Sequence, residues 1–206
     1  TNSGGTRFVM DYACGLINVF HHQVTLFTDT ASPETRRRAE EKNIELVELD
    51  TCSTNSPLYY LTMPLRMNSK RRRLKSRLAD FDICVNSMFP MNILAAGFDI
   101  PRVQICYEPF AFFHDASFLR NFNPCHQAFF RLMRRFYMRS DKLAVRRMDK
   151  VLTINETNVA GVQEIYGIKP EVVYAGIDTD LYHRAGAGQI SDIRMKHPGG
   201  PLLFHS

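Results

Sequence analysis

Short apolar runs of strand length alternate with helix-patterned stretches along almost the whole chain, and this alternation constrains the fold more than any other feature. Helical spacing is read over Thr6–Phe20, over Pro33–Lys42 with Pro33 at a permitted first-turn position, near Asn68–Leu78, at Met91–Gly97, and from Pro124 to Met148. Between them lie strand-like runs at His22–Phe27, Ile44–Leu49, Asp82–Val85 and Arg102–Cys106. A last unit follows, with Val151–Ile154 as a strand and Asn155 as the N-cap of a helix carrying Val159, Val162 and Ile165-Tyr166. Gly167 stops that helix, and Val172-Val173-Tyr174 opens another strand. Glu108 to Asn123, rich in Phe, reads as irregular. The pattern predicts an α/β fold with a doubly wound parallel sheet covered by helices on both faces. Ligands in such sheets bind beyond the carboxyl ends of the strands, which points to Asn86-Ser87, Tyr107-Glu108, Asn155-Glu156 and Ala175-Gly176.

The ends of the chain depart from that scheme. It begins at a Gly-Gly turn with no strand before it, and finishes on Pro201-Leu202-Leu203-Phe204, which reads as the opening of a further strand. A doubly wound domain normally starts with a central strand, so the expectation is a fragment lacking both ends. Its 206 residues supply a real core, no apolar run approaches the roughly 20 residues of a membrane span, and no signal peptide opens it. Cys14, Cys52, Cys84, Cys106 and Cys125 are odd in number and lack metal-ligand spacing. They read as free thiols in a reducing, cytoplasmic setting, with Cys84 and Cys106 buried in strands.

The formal charge of +5 is concentrated in two runs. One holds Arg66, Lys70, Arg71, Arg72, Arg73, Lys75 and Arg77; the other holds Arg131, Arg134, Arg135, Arg139, Lys142, Arg146 and Arg147. Such runs suit an anionic bilayer, a phosphorylated substrate or nucleic acid, or else they form a solvated helix face. Neither resembles a recognised nucleic-acid module, which argues against a nucleic-acid partner. Phe129, Phe130, Phe136 and Tyr137 beside the second run are read as the buried side of a long helix.

Three local patterns carry chemistry. Ser3-Gly4-Gly5-Thr6-Arg7 leads into a helix, and two glycines at a helix start let backbone N–H groups approach a phosphate. The chain contains neither G-x-G-x-x-G nor G-x-x-x-x-G-K-[ST], so dehydrogenase and P-loop readings lose their main support. Val103 to Pro109 runs from a strand into Tyr107-Glu108-Pro109. His114 stands beside Asp115 in the Phe-rich stretch, where an oriented acid–base pair, an acceptor-facing lid and a hydrophobic anchor are all open; the last two are favoured because adjacent side chains seldom aim at one point. The histidines show no zinc-like spacing, and no metal site is expected.

Together these patterns resemble the N-terminal domain of GT-B glycosyltransferases of family 4 (GT4). The likeness rests on the Gly4-Gly5 opening, on His22-Gln23-Val24-Thr25-Leu26-Phe27-Thr28 beside an "H-x-V-T-V-x-T" strand, and on Glu108-Pro109. It rests above all on Met148–Asp180, where strand, helix and strand lead into Gly176-Ile177-Asp178, similar to the family's "GVD" turn. One departure is plain: many members carry His-Glu-Pro, and here Tyr107 stands at the histidine's place, a side chain that cannot become a cation near neutral pH. The resemblance implies a Rossmann-like N-terminal domain over residues 1–180 with its first strand missing. Residues 181–206 would be an interdomain linker and the start of a truncated C-terminal domain. It further implies a retaining transfer of a hexosyl group from a nucleotide-sugar donor, with no other cofactor, to a glycan or lipid-phosphate acceptor. Gly4 and Gly5 would then face the donor phosphates, Tyr107 and Glu108 are the catalytic candidates, and Asn86, Ser87, His114 and Asn155 are the acceptor-binding candidates. The family's donor-gripping basic residue and Glu-x7-Glu motif have no counterpart in this chain, so this piece alone is expected to be inactive. The basic helix Asn68–Leu78 would meet an anionic membrane on its cytoplasmic side. The alternative is a non-catalytic module of the same fold binding a phosphorylated or glycosylated ligand.

Overall fold

Parallel strands with helical crossovers are what the computed structural model shows, over described residues 4–50, 56–87 and 89–176. The chain divides into two units, Thr1–Tyr174 and Ala175–Ser206, and the fold described here belongs to the first. The linker expected over 181–206 and the Ile177-Asp178 part of the terminal turn lie outside the described residues, as does Cys52. The strands are β1 (Thr25–Thr28), β2 (Glu45–Glu48), β3 (Cys84–Asn86), β4 (Arg102–Cys106), β5 (Lys150–Thr153) and β6 (Glu171–Val172). The helices are α1 (Gly4–Asn18), α2 (Pro33–Glu41), α3 (Pro57–Leu74), α4 (Met91–Ala95), α5 (Ala111–His114), α6 (Ala116–Leu119), α7 (Pro124–Arg146) and α8 (Thr157–Tyr166).

Local chemistry explains three helix ends. Ser32 caps α2, its Oγ accepting from Thr35 N at 3.1 Å with Pro33 next in line, and Asn123 caps α7 in the same way through His126 N at 2.9 Å. α8 ends at Gly167, whose φ of +71° is a left-handed conformation that disfavours any side chain. Several strand and helix ends shift by a few residues, β1 starting at Thr25 rather than His22 and β6 covering only Glu171–Val172, and two departures from the sequence reading are larger. The helix predicted near Asn68–Leu78 runs instead over Pro57–Leu74, entered through Ser56 in extended geometry, with Pro64 accommodated inside it. The Phe-rich stretch is not irregular but forms α5 and α6, because its rings stack into the core around Phe89, Phe110 and Phe113.

The strands pair in two parallel sheets, β1–β2 and β3–β4–β5–β6, rather than in one continuous sheet. In the larger sheet Asn86 stands beside Gln104, and Cys106 beside Thr153. The main core joins α3, α4, α5, α7 and α8 to these strands through Tyr59, Met63, Leu94, Phe113, Val145 and Val162. A smaller core of Met10, Ala13, Cys14, Ala39 and Ile44 lies under α1 and α2. Cys106 is buried as expected, whereas Cys84 is only half-buried. Phe129, Phe130 and Tyr137 are half-buried, but Phe136 is 60 % exposed, against the expectation of a fully buried aromatic face.

Glu48, at the end of β2, accepts two bonds from Arg36 (2.6 and 3.0 Å) and one from Ala31 N (2.9 Å). These bonds, led by the Arg36 guanidinium, hold its carboxyl down at about 2. A depressed carboxylate stabilises the fold above its unfolded value and loses that contribution as pH falls through the folded one. Acid unfolding should therefore lose stability between about pH 4.5 and 2, and Glu48→Gln should flatten that limb. The change should stay below ~1 kcal/mol, because water screens Arg36. Urea midpoints across that range would check it; unchanged pH dependence in the variant would exclude Glu48 as a source.

Candidate functional site

Because the strands of each sheet are parallel, their carboxyl ends share that sheet's edge, and a polar cluster gathers at each. The first is built on β3 and β4. A pocket of about 10 Å³, room for one water molecule, is lined by Ser87, Gln104 and Glu108 at the strand ends and by Asn92, Asp141 and Tyr166 from the helices. Its size decides what it can hold as it stands: a water or a single hydroxyl, not a sugar ring. Gln104 Nε2 donates to Ser87 O at 2.9 Å, while its buried Oε1 has no partner among the described residues, which leaves an acceptor waiting for a donor. Glu108 is exposed at the mouth.

Asp141, wholly buried on α7, ties the back of this pocket together. Its Oδ1 accepts from Asn92 Nδ2 of α4 at 2.6 Å; its Oδ2 accepts from Tyr166 OH of α8 at 3.0 Å and lies 2.9 Å from His114 Nε2 of α5. Burial, and then the Asp141 carboxylate, push the Tyr166 hydroxyl upward, so it stays protonated as a donor. Burial likewise pushes the neighbouring Cys106 thiol up to about 12, with Asp141 and Glu108 adding to the effect. A thiol held neutral in this way is no nucleophile.

Tyr107 turns the other way, toward α1. Its ring meets Phe8 edge to face with centroids 5.2 Å apart, and its carbonyl accepts from Asn158 Nδ2 at the start of α8. The Tyr107 hydroxyl is buried without a partner among the described residues, and burial raises it to about 12. Phe8 stands one helical turn beyond Gly4 and Gly5, the first residues of α1, so the Gly-Gly opening and the end of β4 border one another.

The second cluster sits beyond β1 and β2. Asp29 accepts from Tyr59 OH and from Lys70 Nζ, and Lys70 also lies 3.2 Å from Asp50 Oδ2 and donates to Tyr59 OH at 3.2 Å. Arg66 pairs with Asp50 from the same helix. Arg71 donates to Ile93 O, Arg73 to Leu49 O, and Arg77 pairs with Glu45. Five of the seven cations in this run are thus spent inside the molecule, so the expected free basic face over Asn68–Leu78 is largely a set of internal ties.

The predicted residues therefore scatter around the edge. Ser87 and Glu108 share the pocket. Asn86 is not among the lining residues; it donates to Val103 O at 3.1 Å and to Met148 Sδ at 3.4 Å, and its Oδ1 has no partner among the described residues. His114 faces Asp141 instead of Asp115, which caps α6 through Ser117 N and Phe118 N. Asn155 spends its Oδ1 on Asn158 N (2.9 Å) and Thr157 Oγ1 (2.7 Å), a capping role that leaves only its amide nitrogen for a ligand. Sequence reasoning missed Gln104, Asn92, Asp141 and Tyr166. The available signal was Asp141, the one acidic residue in a basic 23-residue helix and on its apolar side.

Among the described residues, no helix is long and apolar enough to cross a membrane. A model of the family described as Glycosyltransferase Family 4 matches residues 2–181, and a search of curated proteins returns no match.

Proposed function

The chain belongs to glycosyltransferase family 4, and on that premise we propose that it forms the acceptor-side half of a two-domain GT-B enzyme. This enzyme moves a hexosyl group from a nucleotide-sugar to a glycan or lipid-phosphate acceptor, with retention at the anomeric carbon. The observation that carries the reading is the contact between Phe8 and Tyr107, which joins the Gly4-Gly5 helix start to the carboxyl end of β4.

Each group has a part. The start of α1 at Gly4 and Gly5 attracts the donor diphosphate through the positive end of the helix, where glycine lets the backbone come close. The Tyr107 hydroxyl, protonated at neutral pH and lacking a partner among the described residues, donates a neutral hydrogen bond to the transferred sugar where a histidine would supply a cation. Glu108 at the pocket mouth accepts from the incoming acceptor hydroxyl, and Gln104 Oε1 gives a second acceptor behind it. His114 and Asn155 serve at one remove: His114 shapes the pocket through Asp141, and Asn155 sets the start of α8.

The test is transfer from UDP-, GDP- and ADP-sugars by the full-length protein. Tyr107→Phe should lower turnover roughly tenfold, about the worth of one hydrogen bond, and Glu108→Gln should weaken acceptor use without weakening donor hydrolysis. A folded, full-length protein that neither transfers nor hydrolyses any donor would sink the reading and favour a binding module of the same fold.

A further inference from the structure

The pocket at the carboxyl ends of β3 and β4 is unbalanced in its hydrogen-bonding groups. Its amide and phenol donors are spent within the wall: Asn92 Nδ2 and Tyr166 OH donate to Asp141, and Gln104 Nε2 donates to Ser87 O. What remains are acceptors. Gln104 is 2 % exposed and its Oε1 has no partner among the described residues, while the Glu108 carboxylate stands at the mouth. Only the Ser87 hydroxyl can serve either way. No Lys, Arg or His lines the pocket, and His114, which meets Asp141, is not among the lining residues. The Cys106 thiol, also in the wall, is pushed up to about 12 by burial first and then by Asp141 and Glu108, so two negative charges act on one small space. The Phe89 and Phe110 rings, with centroids 4.9 Å apart, complete the lining.

We propose that this pocket is a subsite for a primary ammonium group, and that the acceptor carries a protonated amine beside its reacting hydroxyl. The proposal rests on the acceptor-side reading and names the acceptor's class, a 1,2-amino alcohol. Size is the first reason: a space of about 10 Å³ admits one NH3+ group and holds the rest of the molecule outside the mouth. Donor count is the second. A hydroxyl brings one donor together with acceptor lone pairs, whereas an ammonium brings three donors and no acceptor, which suits a wall with acceptors to fill and no amide N–H to spare. Filling Gln104 Oε1 also removes the cost of an unpaired buried carbonyl. Charge is the third, since carboxylates and aromatic rings favour a cation and repel an anion. Glu108 has two oxygens, one for the reacting hydroxyl and one for the ammonium, and that sharing sets the two groups on neighbouring carbons.

The test is titration of the full-length protein with 13C-methylammonium, followed by broadening of its methyl resonance, with methanol and tetramethylammonium in parallel. Methylammonium should bind saturably, methanol at least about tenfold more weakly, and tetramethylammonium, too bulky for the pocket, not at all. Gln104→Leu and Glu108→Gln should each weaken methylammonium roughly tenfold, the worth of a hydrogen bond to a charged group. Glu108 is exposed, so its variant should keep the wild-type thermal midpoint and decides the matter even where Gln104→Leu unsettles the fold. The titration uses no nucleotide-sugar, so its failure leaves the transferase reading standing, and absence of transfer leaves the subsite standing. Three results would overturn the proposal: no saturable binding of methylammonium; methanol binding as tightly, which would make the pocket a site for water or a neutral hydroxyl only; or methylammonium binding indifferent to both substitutions, which would place it elsewhere on the surface.

Discussion

Asp141→Ala should cost about 3–5 kcal/mol of folding stability, the scale set by removing one partner from a buried polar network. The carboxylate is wholly buried and is met by three side chains from three helices, Asn92 of α4, His114 of α5 and Tyr166 of α8. Removing it strands an amide, an imidazole and a phenol where little water can reach them. Against a typical domain stability of about 5–15 kcal/mol, that is a large share. Asp141→Asn keeps the shape and one acceptor oxygen. It also turns an NH2 toward either Asn92 or the His114–Tyr166 pair, both of which donate, so it should recover only part of the loss. Urea unfolding of the three proteins gives the comparison. A cost below ~1 kcal/mol for the alanine variant would mean that the three partners find other bonds, and that the pocket wall is not organised by Asp141.

How much of this was legible in the sequence depends on how local each cause is. β4 and β5 were readable because strands buried on both faces are short apolar runs, and Gly167 was readable because only a left-handed stop requires it there. α3 was misplaced because its path passes Pro64, where local preference argues against a helix and burial of Tyr59, Met63 and Met67 overrides it. The site was less legible still. His114 beside Asp115 was a natural pair to suspect, yet its partner is Asp141, 27 residues away, while Asp115 closes the next helix. Gln104 sits inside an apolar strand, and only the pairing of Asn86 with Gln104 across parallel strands shows that two buried amides lie together. Contacts of this kind are made by the crossovers, and no window of neighbouring residues contains them.

The same limit hides Lys70, one cation among several in a basic run, yet 2 % exposed and enclosed by Asp29, Asp50 and Tyr59. Lys70→Met should cost about 3–5 kcal/mol, because it leaves two buried carboxylates facing each other without their shared cation, whereas keeping the pair intact contributes far less than its Coulomb energy suggests. Arg66 still reaches Asp50, so the unrelieved charge falls mainly on Asp29, which among the described residues keeps only the Tyr59 hydroxyl. That asymmetry gives the prediction its internal control. Lys70→Met combined with Asp29→Asn should recover a substantial part of the loss, since the neutral amide no longer needs the ammonium, and Lys70→Met combined with Asp50→Asn should recover less. Arg72→Met, an exposed neighbour two positions along the same helix, should stay within about 0.5 kcal/mol of wild type. A double-mutant cycle on urea unfolding measures the coupling directly. If Lys70→Met and Arg72→Met cost the same, the cluster is not a buried ion network, and α3 is held against the sheet by its apolar face alone.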